Sequence, residues 1–207
     1  MILRTGRIRL FRERSLNKVL ASQFHPSLIV EKLMASRGLE LRLSYSRYEI
    51  AQPGMQWAAV RTPAFKVSAV DVTPNWVAAQ LKELGPNEEF AFHSSVECCQ
   101  ANFHIPMIDF VSRPSPSSVQ ELETFVADEM GLNERFLFFE TGRSMHGYLP
   151  DLIAEHEYPK YLGRLLTITE STVDVRWVGH ALARGFAALR WSRNTDRYLM
   201  MPRLITL

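Results

Sequence analysis

The side chains best suited to chemistry lie in three segments of the second half of this 207-residue chain. The first is Asp109, which ends the apolar run 103–110. A carboxylate that ends an apolar strand is costly to bury unless it is paired or binds a cation. The ends of strands in open α/β sheets are also where ligands usually bind. Asp109 is therefore a candidate ligand-binding residue, and the alternative is that it caps the helix that follows.

The second segment, residues 140–148, follows a predicted strand and contains a turn. Gly142 permits a tight turn, and Arg143 and Ser144 offer hydrogen-bond donors suited to phosphate. His146 would then lie on the next short strand and point at whatever the turn holds. The alternative is a hairpin whose histidine packs or caps locally.

The third segment, residues 173–177, contains Asp174 among β-branched residues, and a stretch rich in arginine follows it. There, Arg190, Arg193 and Asn194 could contact a backbone phosphate or a base edge. The alternative for these arginines is an exposed, solvated face. Between them, Trp191 is the tryptophan best placed to stack on a base.

In this order, the segments resemble the three motifs of the archaeo-eukaryotic primase superfamily, which includes the primase-polymerases. In that family a strand ends in two carboxylates, a later turn carries S-G-x-G-x-H, and a hydrophobic-Asp pair precedes an R-x-P-G-T-x-N-like segment. Residues 141–146 match the second motif, with Thr141 for its Ser and Ser144 for its second Gly. Residues 173–174 match the third, and 190–195 approximate the closing segment without its Pro-Gly. The resemblance extends from about Phe103 to Pro202.

The resemblance implies both a fold and a set of site residues. The implied fold is α+β (α/β-type), an RRM-like core in which helices flank a central sheet of mixed direction. The implied catalytic residues are Asp109, Asp174 and His146, with the two aspartates as ligands of a weakly held Mg²⁺ or Mn²⁺. The implied nucleotide-binding residues are Arg143, Ser144, His146, Arg190 and Asn194.

The first motif departs from the family pattern, because Met107 and Val111 stand where a second carboxylate would. Phosphoryl transfer of the polymerase type uses two cations about 3.5–4 Å apart. Three carboxylates hold them in this family, whereas Asp109 and Asp174 would hold only one magnesium ion. Asp71 and Glu140 could repair the site, although no spacing argument places either beside Asp109. Nucleotide binding is thus better supported than polymerisation.

Three functions remain open from the sequence. The first is a primase-polymerase-like domain that binds nucleotide and nucleic acid, or a metal-dependent nucleotidyltransferase that makes or extends primers. The second is an inactive primase-like binding subunit of a replication, repair or phage-defence complex. The third is an unrelated α/β interaction protein. A structure would favour the primase-like interpretations if the side chains of Asp109, His146 and Asp174 met in one pocket.

Composition sets the remaining expectations. The net charge is only +2, but basic residues cluster at both ends of the chain, which would suit an anionic partner. The alternative is solubilising surface charge, which is the favoured interpretation for the N-terminal cluster alone. We expect a single domain over residues 1–207 with a basic extension at 1–24. The partners expected are a nucleotide triphosphate, DNA or RNA, and a protein subunit. Adjacent Cys98 and Cys99 fit a reducing cytoplasm, and the sequence lacks an apolar run long enough to cross a membrane.

Hydrophobic periodicity predicts the elements that position these residues. The predicted helices are Ser27–Ser36, one after Thr73-Pro74, Val119–Met130 and Tyr158–Thr167. The predicted strands are Leu39–Ile50, Gln56–Thr62, Ala64–Val72, Glu89–Val96, Asn102–Val111 and Arg135–Glu140, and Ile2–Phe11 is a strand or an arm. Because Asn102–Val111 is almost continuously apolar, we expect it to be one central strand.

Overall fold

The computed structural model describes residues 25–37, 40–50, 64–130, 136–167 and 172–206. The expected extension at 1–24, with Ile2–Phe11 inside it, and the expected strand Gln56–Thr62 lie outside the described residues. The α-helices are α1 (Leu28–Arg37), α2 (Pro74–Lys82), α3 (Pro116–Met130), α4 (Tyr158–Leu166) and α5 (Val175–Arg184). Within the described ranges, none of these is long and apolar enough to span a bilayer.

The larger sheet contains six strands: β1 (Leu41–Glu49), β2 (Phe65–Ser68), β3 (Glu88–Cys98), β4 (Ala101–His104), β8 (Ile153–Ala154) and β9 (Ala188–Arg190). Its order is β2-β1-β3-β4-β8, with β9 paired to β3. One edge of β3 pairs with β1. Its other edge is shared, since residues 91–93 pair with β9 and residues 95–98 pair with β4.

The smaller sheet contains β5 (Met107–Phe110), β6 (Leu137–Glu140), β7 (Met145–Tyr148) and β10 (Arg203–Leu204), in the order β10-β6-β7-β5. Its centre is the β6–β7 hairpin, whose turn contains the second sequence motif. Strand β5, which contains Asp109, pairs with β7 and thereby lies beside that motif.

The α+β class is confirmed, with antiparallel sheets and flanking helices. The expected central sheet of mixed direction is not what forms: the described strands make two sheets in which every named pair is antiparallel. The prediction of one strand over Asn102–Val111 was also wrong. The chain breaks at Ile105-Pro106, so that β4 lies in the larger sheet and β5 in the smaller. Proline has no backbone N–H for a sheet ladder, which explains the break.

The helix predictions are confirmed where the structure describes them. Helix α2 begins after Thr73, whose hydroxyl accepts a hydrogen bond from the backbone N–H of Trp76 at 3.1 Å, with Pro74 in the first turn. Helix α1 buries Ile29 and Leu33, two of the residues that its periodicity placed inward. These caps and apolar faces fix where the helices lie against the sheets.

An aromatic cluster fills the core of the larger sheet. Tyr45 stacks on Phe90 with ring centroids 5.4 Å apart, and Phe92 lies 4.6 Å from Trp191. Trp191 is completely buried. Of the two roles open to Trp191, base stacking and core packing, the structure favours core packing, because its ring is packed against Phe92 in this core.

Candidate functional site

A cavity of about 240 Å³ lies between the β6–β7 turn, the start of α5 and the end of β9. It is lined by Tyr48, Asp109, Thr141, Arg143, Ser144, His146, Trp177, Ala188, Leu189, Arg190, Arg197, Tyr198 and Leu199. Three arginines and one histidine thus surround a single carboxylate. The smaller sheet contributes Asp109 and the second motif to the lining, and the larger sheet contributes Tyr48 and Arg190.

Strand pairing places Asp109 and His146 together. They are directly opposite each other in the antiparallel β5–β7 pair, so their side chains share one face of the sheet. The Nε2 atom of His146 lies 3.9 Å from Oδ1 of Asp109. His146 is almost fully buried, whereas about a quarter of the Asp109 side chain remains exposed. Asp109 consequently faces the cavity and does not cap α3.

The turn of the second motif is held in shape by its own side chains. The Thr141 hydroxyl lies 3.0 Å from the backbone oxygen of Ser144 and 3.0 Å from the Ser144 hydroxyl. Gly142 has a φ of 103°, in the left-handed region that favours glycine. A Cβ at Gly142 would lie 2.7 Å from the Cβ of Leu199. Glycine therefore permits both the turn and its close contact with residue 199.

Arg190 enters the cavity from the end of β9 and is almost fully buried. Its Nη1 donates to the backbone oxygens of Ser192 and, at 3.1 Å, of Met200. Its guanidinium lies 4.0 Å from the centre of the Tyr198 ring. Burial lowers the pKa of Arg190, and attraction to nearby acidic groups, Asp109 among them, opposes that shift. An anion in the cavity would offset the cost of burying this charge.

The backbones of Asp174 and Asp109 are hydrogen-bonded to each other, but the Asp174 carboxylate caps a helix and does not face the cavity. The Asp174 N–H donates to the Asp109 carbonyl at 2.9 Å, next to a bridge between Phe110 and Val173. Its Oδ1 accepts the backbone N–H groups of Arg176 at 2.9 Å and of residue 177 at 3.2 Å. Asp174 is therefore the N-cap of α5, and it is not among the residues that line the cavity.

Asn194 also lies outside the cavity lining. Its side-chain amide donates to the backbone oxygens of Gly85 at 2.6 Å and of Glu88 at 3.0 Å. The amide therefore attaches this part of the chain to the start of β3. Of the five residues expected to bind nucleotide, the structure brings four into the cavity lining: Arg143, Ser144, His146 and Arg190.

The donor set does not fit a two-cation centre. Among the described residues, no group of three or more His, Cys, Asp or Glu side chains is placed to hold a metal ion. Of the described residues that line the cavity, only Asp109 carries a carboxylate, and Asp71 and Glu140 are not among them. The Mg²⁺ or Mn²⁺ expected at Asp109 and Asp174 stays a prediction.

Comparison with known families agrees with this arrangement of motifs. A family model described as AEP-like, archaeo-eukaryotic primase 1D-like, matches residues 68–203. The chain belongs to this family. The resemblance drawn from the motifs is thereby confirmed, and the matched range contains Asp109, His146, Asp174 and Arg190. No curated protein and no solved structure matches the chain.

Several residues that line the cavity of this primase-like protein lie outside the positions that match the family motifs. Tyr48 lies on β1, outside the range that the family model matches, and the pairing of β1 with β3 brings it near the cavity. Trp177 donates from its indole N–H to the Ala188 carbonyl at 3.0 Å, which packs α5 against β9. Arg197 belongs to the basic C-terminal run, which was the one available signal.

Proposed function

We propose that this protein is a primase-like domain that binds the phosphates of a nucleotide triphosphate in the cavity between Asp109, the 141–146 turn and Arg190. The observation that carries the proposal is the charge of the lining, in which Arg143, Arg190 and Arg197 accompany one carboxylate. Guanidinium groups bind phosphate through charge-assisted, often bidentate hydrogen bonds.

The size of the cavity supports phosphates as its occupant. Its volume of about 240 Å³ lies below the range of about 300–1,000 Å³ that is usual for sites enclosing a whole ligand. The triphosphate would therefore lie inside, while the sugar and base extend outward. Hydroxyls of Thr141 and Ser144, together with the imidazole of His146, would supply further polar contacts.

The exposed arginines beside the cavity support DNA or RNA as a second ligand. Arg143 and Arg197 lie in its lining, and Arg176 and Arg193 are exposed on the adjoining helix and loop. Such residues contact phosphate backbones without reading sequence. Binding of this kind weakens steeply as salt concentration rises, which a titration at two ionic strengths would reveal.

Calorimetric titration with a nucleotide triphosphate, and with tripolyphosphate as a base-free probe, tests the proposal. Arg143→Ala should weaken both ligands about tenfold, because an exposed charge-assisted contact to phosphate is lost. Arg42→Ala is the matched control, since Arg42 is exposed on β1 and lies six residues, or about 20 Å, from Tyr48. No binding by the wild-type protein, or equal losses in both variants, would overturn the proposal.

A second candidate, a primer-making or primer-extending nucleotidyltransferase, is favoured by one observation: Asp109 faces the cavity 3.9 Å from His146. Because the part of the chain that the structure describes brings no second carboxylate to the cavity lining, we propose the binding function first and an inactive subunit of a larger assembly as its setting. A primer-extension assay with Mg²⁺ or Mn²⁺ separates the two. Incorporation that Asp109→Asn abolishes would establish the enzyme.

A further inference from the structure

Glu89, the second residue of β3, is fully buried and absent from every sequence motif. Its Oε1 accepts from the Thr195 N–H at 2.8 Å, from the Thr195 hydroxyl at 2.7 Å and from the Asn194 N–H at 3.0 Å. Its Oε2 accepts from the Ser192 hydroxyl and, at 3.1 Å, from the Asn194 N–H. A buried carboxylate is expensive without such partners, and here one short stretch of chain supplies them all.

That stretch begins the segment that closes the cavity, residues 192–200, hereafter the closing loop. It contains no helix or strand. Arg197, Tyr198 and Leu199 line the cavity from this loop. Glu89 therefore holds the first half of a loop whose second half forms part of the site.

Contacts from Arg190 and from the turn of the second motif help to hold the other half of the closing loop. The Arg190 guanidinium bridges the carbonyls of Ser192 and Met200, which lie at the two ends of the loop. Leu199 packs against Gly142, so closely that a Cβ there would overlap it. The loop thus extends from the buried carboxylate on β3 to the turn of the second motif.

We propose that Glu89 is a positioning residue for the nucleotide site, acting through the closing loop to place Arg190, Arg197 and Tyr198 around the phosphates. This inference rests on the proposed function. The Glu89 carboxylate touches no cavity space itself, and its role is to fix an irregular loop by hydrogen bonds to both of its oxygens.

Thr195 offers the gentlest test, because it is only partly buried and its hydroxyl contributes one donor. Thr195→Val keeps the shape and removes that donor, whereas Thr195→Ser keeps the donor. Glu89→Gln is the stronger variant, since its amide NH₂ would face the backbone N–H of Asn194 at the position of either carboxylate oxygen. Urea unfolding of each variant confirms that it is folded.

Two readouts separate positioning from a merely structural role. The first is the affinity for tripolyphosphate, which we expect to fall at least about threefold in Thr195→Val and further in Glu89→Gln, with Thr195→Ser within about twofold of wild type. The second is tryptic cleavage after Arg193 and Arg197, relative to cleavage after Lys82. We expect this relative cleavage to rise about tenfold in the variants that release the loop. In the wild type, we expect bound tripolyphosphate to slow the cleavage.

The outcomes distinguish this inference from the proposed function. If the wild type binds tripolyphosphate and Thr195→Val and Glu89→Gln bind it equally well, the positioning role is wrong while the proposed function stands. If Thr195→Ser loses as much affinity as Thr195→Val, the lost donor is not the cause and the inference also fails. If the wild type does not bind tripolyphosphate, the proposed function itself fails.

Discussion

Substitution of Asp174 decides between two roles for one carboxylate, a helix cap and a metal ligand. Oδ1 satisfies two of the backbone N–H groups that the first turn of α5 leaves without an intrahelical partner. The ion pair with Arg176, whose side chain is 87% exposed, adds little. Loss of an N-cap together with its attraction to the helix dipole costs about 1–2 kcal/mol.

We therefore expect Asp174→Ala to lower the free energy of unfolding by about 1–2 kcal/mol, and the melting temperature by about 2–4 °C for each kcal/mol. Asp174→Asn retains the capping oxygen and should lose only the charge–dipole part, about 0.3–1 kcal/mol. Urea unfolding measures both. Because Asp174 does not line the cavity, triphosphate affinity in magnesium should stay within about twofold of wild type in Asp174→Asn.

Thr73→Ala is the matched control, since Thr73 caps α2 through the same kind of contact and has no proposed metal role. It should cost about 1 kcal/mol and leave binding unchanged. Full stability in Asp174→Ala, with Thr73→Ala destabilised, would refute the capping argument. Loss of magnesium-dependent binding in Asp174→Asn, without loss of stability, would restore Asp174 as a metal ligand.

Two further predictions concern stability. Burial lowers the pKa of His25 and of His104 to about 4, so below about pH 6.5 the unfolded chain takes up protons that the folded protein excludes. Stability should therefore fall by about 2 kcal/mol per histidine between pH 7 and pH 5. Urea midpoints across that range measure the fall, which His104→Gln should roughly halve; a flat profile would contradict it. Separately, a Cβ at Gly147 would lie 2.6 Å from Cε2 of Phe110, so Gly147→Ala should cost roughly 1–3 kcal/mol. Gly179→Ala, where a Cβ meets nothing within 4 Å, is its control and should be neutral or slightly stabilising; equal unfolding of the two variants would refute the overpacking argument.

The sequence predicts an element well where caps, prolines or apolar spacing within that element determine it. Thr73-Pro74 begins α2, and the apolar spacing of residues 28–34 gives α1. The break at Pro106 is hidden in the sequence by the almost continuous apolar character of residues 102–111, which is typical of one strand. Which sheet each half then joins depends on partners far away in sequence: Ser95–Cys98 for β4 and Met145–Tyr148 for β5.

The contrast between local signals and partners distant in sequence also explains which features of the candidate site could be predicted. Asp109 and His146 could be singled out as candidates because strand ends and motif turns are local features, and antiparallel pairing brings the two side by side. Asp109 and Asp174 also show that their similar positions in the sequence do not predict what each carboxylate contacts. Both end an apolar stretch, and both precede a helix. Asp109 is separated from α3 by residues 110–115, whereas α5 begins at the residue after Asp174 and uses its carboxylate as a cap.

Residues 190–195 show most clearly that a match to a motif does not reveal what a side chain contacts. Asn194 was expected to bind nucleotide on the strength of its place in a motif, yet its amide hydrogen-bonds to Gly85 and Glu88. A short polar side chain in a loop can serve a ligand or the loop itself, and the sequence does not distinguish them. The deciding residue is Glu89, 105 positions earlier, whose buried carboxylate collects the N–H groups of the same segment. Motif residues can thus contribute to a site by being held in place, which is why affinity and loop release must be measured in the same variants.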